Sequence, residues 1–209
     1  MSPIDISMPI RASMPVFPGD PATTLVKDRS IERGDPFDLS VLTLGTHSGT
    51  HLDPPSHFLP KGASVDAIDL AVLNGPCRVV RVPDGQSSVF PSDLAPLPPG
   101  TERVLFRTSN SRRWAHDEPF FADFVDLSPP AAKRLIELGV RLVGIDALSI
   151  ESDPTMGYPV HRSLLSNGVV ILEGVLLDGV DGDRYTLHCL PLRIVDGDGG
   201  PCRAVLDAA

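Results

Sequence analysis

The chain has 209 residues, of which 42% are hydrophobic and 22% charged, and its formal net charge is -9 at pH 7. This composition is typical of a globular protein with one sizeable core. The acidic balance, and the lack of a basic stripe interleaved with aromatic residues, argue against nucleic acid or an anionic membrane surface as a partner.

The three cysteines, Cys77, Cys189 and Cys202, have no CxxC spacing, which argues against a disulfide framework or a structural zinc finger. The N-terminus has no basic segment followed by an apolar stretch. The longest apolar stretch, residues 168–177, is short and carries Glu173. We therefore expect no signal peptide, no membrane span and a reducing cytoplasm.

The first part of the chain predicts extended structure. Prolines at positions 9, 15 and 18 exclude a helix over residues 4–20 and favour an edge segment. Residues 23–31 alternate loosely and predict a strand. Residues 38–44 predict a second strand, which leads directly into a cluster of histidines.

The rest of the chain alternates between short strands and two predicted helices. The stronger helix is predicted over 129–138, with Ser128 as N-cap and Gly139 as the C-terminal stop. A weaker helix is predicted over 162–166, and residues 66–73 form a short helix at best. Strands are predicted over 77–82, 103–107, 141–146, 169–172 with a continuation over 174–177, 185–192 and 203–206.

Residues 109–123 show no period and are rich in aromatic side chains. Such a loop either packs over the core or forms a lid on a pocket. His116 within it is predicted to be exposed and inert. The many short strands, separated by proline and glycine, predict one mixed, β-rich α/β domain over residues 1–209.

The chain is organised around a segment that runs from His47 through His51 and Asp53 to His57, and half of its six histidines lie there. Gly49, Thr50 and the Pro54-Pro55 pair argue against a helix. A turn followed by a short strand would place His51 and Asp53 on one face, because strand side chains alternate. Imidazole and carboxylate ligands suit zinc, manganese and iron, so the segment predicts a metal site.

Two more candidates come from later in the chain. Glu173 interrupts an apolar strand, where a carboxylate is costly unless it is paired or bound to a metal. It is therefore either a strand-end salt bridge or a ligand from another strand, and His161 lies within reach of it. The combined set (His47, His51, Asp53, His57, His161 and Glu173) exceeds what one tetrahedral zinc needs. Either two metals share carboxylates, or one metal takes a subset and another residue serves as base.

Several residues remain weaker candidates. Phe17 precedes a Pro-Gly-Asp turn, where it belongs either to the core or to a pocket wall. Asp5, Asp20, Asp146 and Ser149 are polar groups near the ends of apolar segments, for which a structural role is the simpler interpretation.

The segment His47-Ser48-Gly49-Thr50-His51-Leu52-Asp53-Pro54-Pro55-Ser56-His57 resembles the HxGTHxDxPxH signature of the cyclase-like metal-dependent hydrolases. Bacterial kynurenine formamidases and isatin hydrolases belong to that family. The resemblance extends along almost the whole chain, through the segments Asp5-Ile6-Ser7, Pro15 to Asp20, Gly144 to Asp146, Ile171 to Gly174, Leu190 to Arg193 and Arg203 to Leu206. It implies a swivelling β/β/α fold and a homodimer or higher oligomer.

The resemblance also implies roles for the candidate residues. His47, His51 and Asp53 would bind a divalent metal. In the formamidase branch, His57, His161 and Glu173 would complete a two-zinc site, whereas a single manganese is more typical of the isatin hydrolase branch. Phe17 would line an aromatic substrate pocket. Phe17 stands where formamidases usually have Trp, and Ala147-Leu148-Ser149 stands where they have Thr-Pro-Ser.

The working hypothesis is hydrolysis of an aryl formamide such as N-formylkynurenine, a step of tryptophan catabolism, by metal-activated water. His57 would carry the proton, and Glu173 would hold the metal or orient the water. One alternative is opening of a cyclic amide or lactone such as isatin. The other is a metal-dependent binding protein without turnover. Because no GxSxG motif is present, nucleophilic serine catalysis is disfavoured.

Overall fold

The computed structural model describes residues 2–115 and 120–208. Its strands are β1 (Ile4–Asp5), β2 (Thr24–Arg29), β3 (Leu39–Thr43), β4 (His51–Asp53), β5 (Asn74–Arg81), β6 (Ser88–Val89), β7 (Arg103–Arg107), β8 (Asp126–Leu127), β9 (Leu142–Ile145), β10 (Val170–Glu173), β11 (Arg184–Pro191) and β12 (Gly200–Ala208). Its α-helices are α1 (Leu70–Leu73), α2 (Asn110–Ala115), α3 (Pro129–Glu137) and α4 (Pro159–Ser166).

Within these residues, eight strands form one mixed sheet in the order β1-β12-β11-β5-β7-β9-β10-β4. The strands β5, β7, β9 and β10 run parallel to one another, and the other neighbours are antiparallel. An additional pairing of β12 with β4 closes the sheet into a barrel. The prediction of a mixed, β-rich α/β fold is therefore confirmed.

Alternation along the barrel strands separates two apolar clusters. In β10, Leu172 belongs to one cluster together with Leu52 of β4 and Leu105 of β7. Ile171 belongs to the other cluster, which contains the buried faces of α3 and α4. Because side chains alternate along a strand, Glu173 lies on the same face as Ile171, and His51 and Asp53 lie opposite to Leu52. The barrel thus directs these polar side chains toward the helical layer.

Helix α3 follows its predicted signals. The side chain of Ser128 accepts a hydrogen bond from Ala131 N at the N-terminus. Gly139 follows the helix with a φ of 77°, a conformation that glycine adopts without steric cost. The helix turns the chain directly into β9, as predicted.

Several element boundaries differ from the sequence prediction, and two of these differences bear on the candidate site. Helix α4 begins at Pro159 rather than at Arg162, because Pro159 occupies the first helical position, where its missing N–H costs nothing. His161 therefore lies on the helix and does not end the preceding loop. Residues 174–177 do not continue β10, since Gly174 adopts a φ of 67° and leaves the extended region.

The aromatic stretch 109–123 contains helix α2 and is not entirely loop. Trp114 stacks on Phe121 with ring centroids 4.1 Å apart, and both rings are buried in the core. Phe120 instead contacts Phe17 edge-on at 5.4 Å. His116 lies outside the described residues. Among the described residues, no helix is both long and apolar enough to cross a bilayer.

Candidate metal and substrate site

Two paired strands bring three of the candidate ligands together. Strands β4 and β10 are antiparallel, with His51 directly opposite Glu173 and Asp53 opposite Ile171. The Nε2 atom of His51 lies 3.4 Å from Asp53 Oδ1 and 3.3 Å from Glu173 Oε2. All three side chains are almost completely buried. The predicted placement of His51 and Asp53 on one face is therefore confirmed.

A close approach of two loops holds this strand pair in place. Gly174 follows Glu173, and a Cβ atom at that position would lie 2.2 Å from the carbonyl oxygen of Gly49. The hydroxyl of Thr50 donates to the Gly174 carbonyl at 2.5 Å and accepts from Met8 N at 2.8 Å. Glycine and threonine in the signature segment therefore fix the position of the first histidines relative to Glu173.

The turn before β4 and the prolines after it add two more histidines. His47 lies in the turn, where its Nδ1 is 2.9 Å from Asp53 Oδ1. The two prolines lead into a short 3-10 helix, Pro55–His57, at whose end His57 lies. The His57 and His47 rings stack with centroids 3.8 Å apart. Gly199 leaves room for His47, because a Cβ there would meet the His47 ring at 2.5 Å.

Helix α4 supplies the sixth candidate. The Nε2 atom of His161 lies 3.3 Å from Glu173 Oε1 and 3.7 Å from Asp53 Oδ2. Its Nδ1 lies 2.6 Å from Glu151 Oε2. Ile150 N donates to Glu173 Oε1 at 2.6 Å, which holds that carboxylate against the loop before the helix.

Several buried polar atoms of this cluster have no hydrogen-bond partner among the residues that the structure describes. They are His47 Nε2, His51 Nε2 and Asp53 Oδ2. Buried polar groups are normally hydrogen-bonded, and an unpaired one costs roughly 1–3 kcal/mol. Two imidazole nitrogens and a carboxylate oxygen, directed into one space, are the donor types that a divalent cation binds. The residues present therefore fit a metal ion.

The protonation behaviour of the cluster reflects an excess of buried negative charge. Burial lowers the pKa of His51, but attraction to the Asp53 and Glu173 carboxylates outweighs it and raises that pKa to about 10. Burial also lowers the pKa of His161, but Glu151 and Glu173 outweigh this effect and raise that pKa to about 10. In the metal-free protein, the protons on these two histidines therefore balance the charge of the carboxylates. A bound cation would balance the same charge.

Within the described part of the chain, two groups of side chains are spaced closely enough to hold a cation. One consists of His47, Asp53 and His57, and the other of His51, Asp53 and Glu173; in each, the ligand atoms lie within 4.8 Å of one another. Asp53 is common to both. A shared carboxylate is the arrangement expected if two ions lie side by side.

The cluster forms one wall of a cavity of about 310 Å³. The other walls carry Phe17, Phe58 and Tyr158, together with Leu148. The Phe58 ring contacts Tyr158 at 5.0 Å and His161 at 4.6 Å. Phe17 thus lies at a pocket wall, one of the two positions considered for it from the sequence.

The weaker candidates divide between the cavity and the scaffold. Asp20 and Ser149 line the cavity. Asp146 is buried elsewhere and accepts hydrogen bonds from the backbone and side chains of Thr108 and Ser111. Asp5 pairs with Arg203 at the surface.

Glu151, Phe58 and Tyr158 were not singled out from the sequence. Phe58 directly follows the signature segment, and its position next to His57 could have marked it as a residue of the site. Tyr158 precedes Pro159 and caps the N-terminus of α4, with a left-handed backbone conformation (φ of 59°). Glu151 lies ten residues before His161 in a polar stretch. Its distance in sequence gives no sign that it is a buried hydrogen-bond partner of His161.

Comparison with known proteins finds a matching family profile and relatives that are similar over almost the whole chain. A family profile described as "Putative cyclase" matches residues 4–152. The kynurenine formamidase of Erythrobacter litoralis is 36% identical over 204 residues, which cover 97% of this chain and 92% of the relative. The kynurenine formamidase of Salinibacter ruber is 38% identical over 208 residues, which cover 99% of this chain and 97% of the relative.

Two solved structures share the fold. One is described as a potential metal-dependent hydrolase with cyclase activity; it is 33% identical with a TM-score of 0.85, and the match covers 100% of this chain and 98% of that one. The other is an isatin hydrolase bound to the product analogue thioisatinate, with a TM-score of 0.85 at 20% identity. This match covers 98% of this chain and 91% of that one. At that lower identity the match shows the fold alone.

Proposed function

The chain belongs to the putative cyclase family, and from this premise we propose that it is a divalent-metal-dependent arylformamidase. The reaction is hydrolysis of N-formylkynurenine to kynurenine and formate. The observation that carries the proposal is the convergence of buried, unpartnered imidazole and carboxylate atoms on a cavity with aromatic walls. The full-length similarity to kynurenine formamidases supports the same substrate class.

In this proposal, His47, His51, Asp53, His57, His161 and Glu173 hold the metal. Nitrogen and carboxylate donors favour zinc, and the sharing of Asp53 by both groups of ligands favours two ions. When bound, a divalent cation supplies a more acidic water and a polarised carbonyl.

His57 and Glu173 also serve the chemistry. His57 is the partly buried histidine at the end of the 3-10 helix, and burial lowers its pKa, so it is neutral and able to accept a proton at pH 7. In the state in which its ring nitrogen is not bound to metal, His57 takes a proton from the attacking water and returns it to the departing aryl nitrogen. Glu173, fixed by Ile150 N, orients the water at its carboxylate.

The aromatic side of the cavity binds the aryl ring. Phe17 and Phe58 lie on the walls beside the histidines, and the Phe120 ring contacts Phe17 edge-on. Burial of an aryl ring between such side chains supplies binding energy and excludes bulk water from the scissile bond.

The proposal includes a homodimer in the reducing cytoplasm, where Cys77, Cys189 and Cys202 remain free thiols. Every residue of the β2–β3 ribbon is exposed, including Val26 and Val41. A lone two-stranded ribbon is marginally stable in water, so a second copy of the chain is proposed to cover it. Light scattering after size exclusion tests this: the wild type should be a dimer and Val41→Lys a monomer, whereas a monomeric wild type contradicts it.

The function is tested by assaying purified, zinc-loaded protein with N-formylkynurenine and, separately, with isatin. Formation of kynurenine and formate, with slower turnover of isatin, supports the proposal. Faster opening of isatin assigns the protein to the cyclic amide alternative. Saturable binding of both compounds without product assigns it to metal-dependent binding without turnover.

A further inference from the structure

We propose that Glu151 is a positioning residue that fixes the His161 ring, so that the Nε2 lone pair of His161 faces the metal-binding carboxylates. This inference rests on the metal-dependent function proposed above. Glu151 touches none of the proposed ligands except His161, and its side chain is buried. It therefore acts through His161 and not on the substrate.

The contact determines which ring nitrogen carries the hydrogen. Glu151 Oε2 lies 2.6 Å from His161 Nδ1, and both oxygens of this carboxylate already accept hydrogen bonds from backbone N–H groups. His161 Nδ1 must therefore donate, and in the neutral ring the lone pair is left on Nε2. That atom lies 3.3 Å from Glu173 Oε1 and 3.7 Å from Asp53 Oδ2, at the site proposed for the metal.

The same carboxylate also fixes the helix that carries the ring. Val160 N and His161 N both donate to Glu151, each at 2.9 Å. The backbone and the ring of His161 are thereby held by one buried group, which limits rotation of the side chain.

His161 differs from the other two proposed metal ligands with a bonded Nδ1, His47 and His51. His51 Nδ1 lies 3.0 Å from the carbonyl oxygen of Gly49, a neutral acceptor. His47 Nδ1 lies beside Asp53, which is itself a proposed ligand. Only His161, of these three, has a carboxylate partner outside the proposed ligand set. Such a partner increases ligand basicity, and its loss typically weakens metal affinity by about 10–100-fold.

The test is the affinity of metal-free Glu151→Gln for zinc, measured by competition with a chromophoric chelator, and the visible spectrum after loading with cobalt. We expect about 10–100-fold weaker zinc binding and a changed cobalt spectrum. Asp146→Asn is the matched control, because Asp146 is also a buried carboxylate that accepts from backbone amides, outside the cluster. It should keep wild-type affinity and spectrum.

A double-variant cycle separates positioning from helix capping. If Glu151 acts through His161, adding Glu151→Gln to His161→Ala causes no further loss of zinc affinity. Equal losses in both backgrounds, or wild-type affinity in a folded Glu151→Gln, overturn the inference. If Glu151→Gln does not fold, nitrogen NMR of the zinc-loaded wild type decides: the inference requires a protonated Nδ1 and a zinc-bound Nε2 on His161, and a zinc-bound Nδ1 would overturn it. Absence of zinc binding by the wild type would instead contradict the proposed function.

Discussion

His51 and Glu173 lie directly opposite each other on strands β4 and β10, and His51 Nε2 is 3.3 Å from Glu173 Oε2. The backbone register therefore places a ligand from the signature segment beside one from a distant strand. Asp53 completes the group from the same face of β4. Strand geometry, and not loop conformation, sets the spacing of these three ligands.

Asp53 belongs to both groups of candidate ligands, so Asp53→Asn should affect both. We expect bound zinc to fall well below the wild-type content and turnover of N-formylkynurenine to fall by at least ~100-fold. Metal analysis of the purified variant and a kynurenine assay measure the two effects. Asp183→Asn is the control, because that carboxylate is exposed and pairs with Arg78. Normal turnover by Asp53→Asn would remove Asp53 from the mechanism.

The contact of Gly174 with Gly49 predicts a large effect of a single methyl group. Gly174→Ala would place Cβ 2.2 Å from the Gly49 carbonyl oxygen, in a backbone conformation that L residues rarely adopt. We expect loss of ~3 kcal/mol of the free energy of unfolding, measured in urea, together with weaker metal binding.

Gly139→Ala is the matched control for this prediction. Gly139 has a similar φ of 77° but open space around the added methyl group. It should cost only about 1–2 kcal/mol, the penalty of the backbone conformation alone. Equal losses for the two variants would show that the contact between the loops is unimportant.

Phe17 should contribute to binding of the aryl ring rather than to the chemical step. Phe17→Ala is expected to raise KM for aryl formamides by about tenfold while kcat changes less, because the lost contact is made equally in the ground and transition states. Phe37→Ala provides the comparison, since that exposed ring lies outside the cavity lining. A fall in kcat at constant KM would argue against this role.

The raised pKa values of His51 and His161 predict proton release when zinc binds. Both rings are protonated at pH 7.5 in the metal-free protein, because their pKa is about 10. Since metal ligands must be deprotonated, we expect release of about two protons per chain. Calorimetry in two buffers of different ionisation enthalpy measures that number. Zinc binding without proton release would contradict the assignment of charge in the cluster.

The same shifts predict how stability of the metal-free protein depends on pH. A histidine whose pKa is raised on folding stabilises the protein fully below its unfolded value of 6.5. That contribution is lost as the pH rises toward 10. Urea unfolding of the metal-free protein should therefore show lower stability at pH 10 than at pH 6, and the difference should shrink in His51→Gln.

Much of the site could be predicted because its residues are local in sequence. The turn at Gly49, the alternation of His51 and Asp53 and the return of His57 all follow from backbone preferences over a few positions. The β-rich fold and helix α3 likewise followed from periodicity and capping signals. Its place in an apolar stretch marked Glu173 as a candidate ligand, although the predicted continuation of its strand over 174–177 was wrong.

Long-range contacts could not be derived in this way. The closure of the barrel through β12 and β4 depends on pairing between strands far apart in the chain. Glu151 is buried only because the loop before α4 folds back onto the helix N-terminus. The helix itself begins earlier than predicted, since its proline occupies the first turn and not the interior.

The most direct measurement is turnover by the native protein before and after removal of divalent ions with a chelator, with metal content measured in parallel. We predict one or two ions per chain, loss of N-formylkynurenine hydrolysis when the ions are removed, and recovery when zinc is added. A purified protein that contains no divalent ion, and hydrolyses the substrate at an unchanged rate with chelator present, would contradict this prediction.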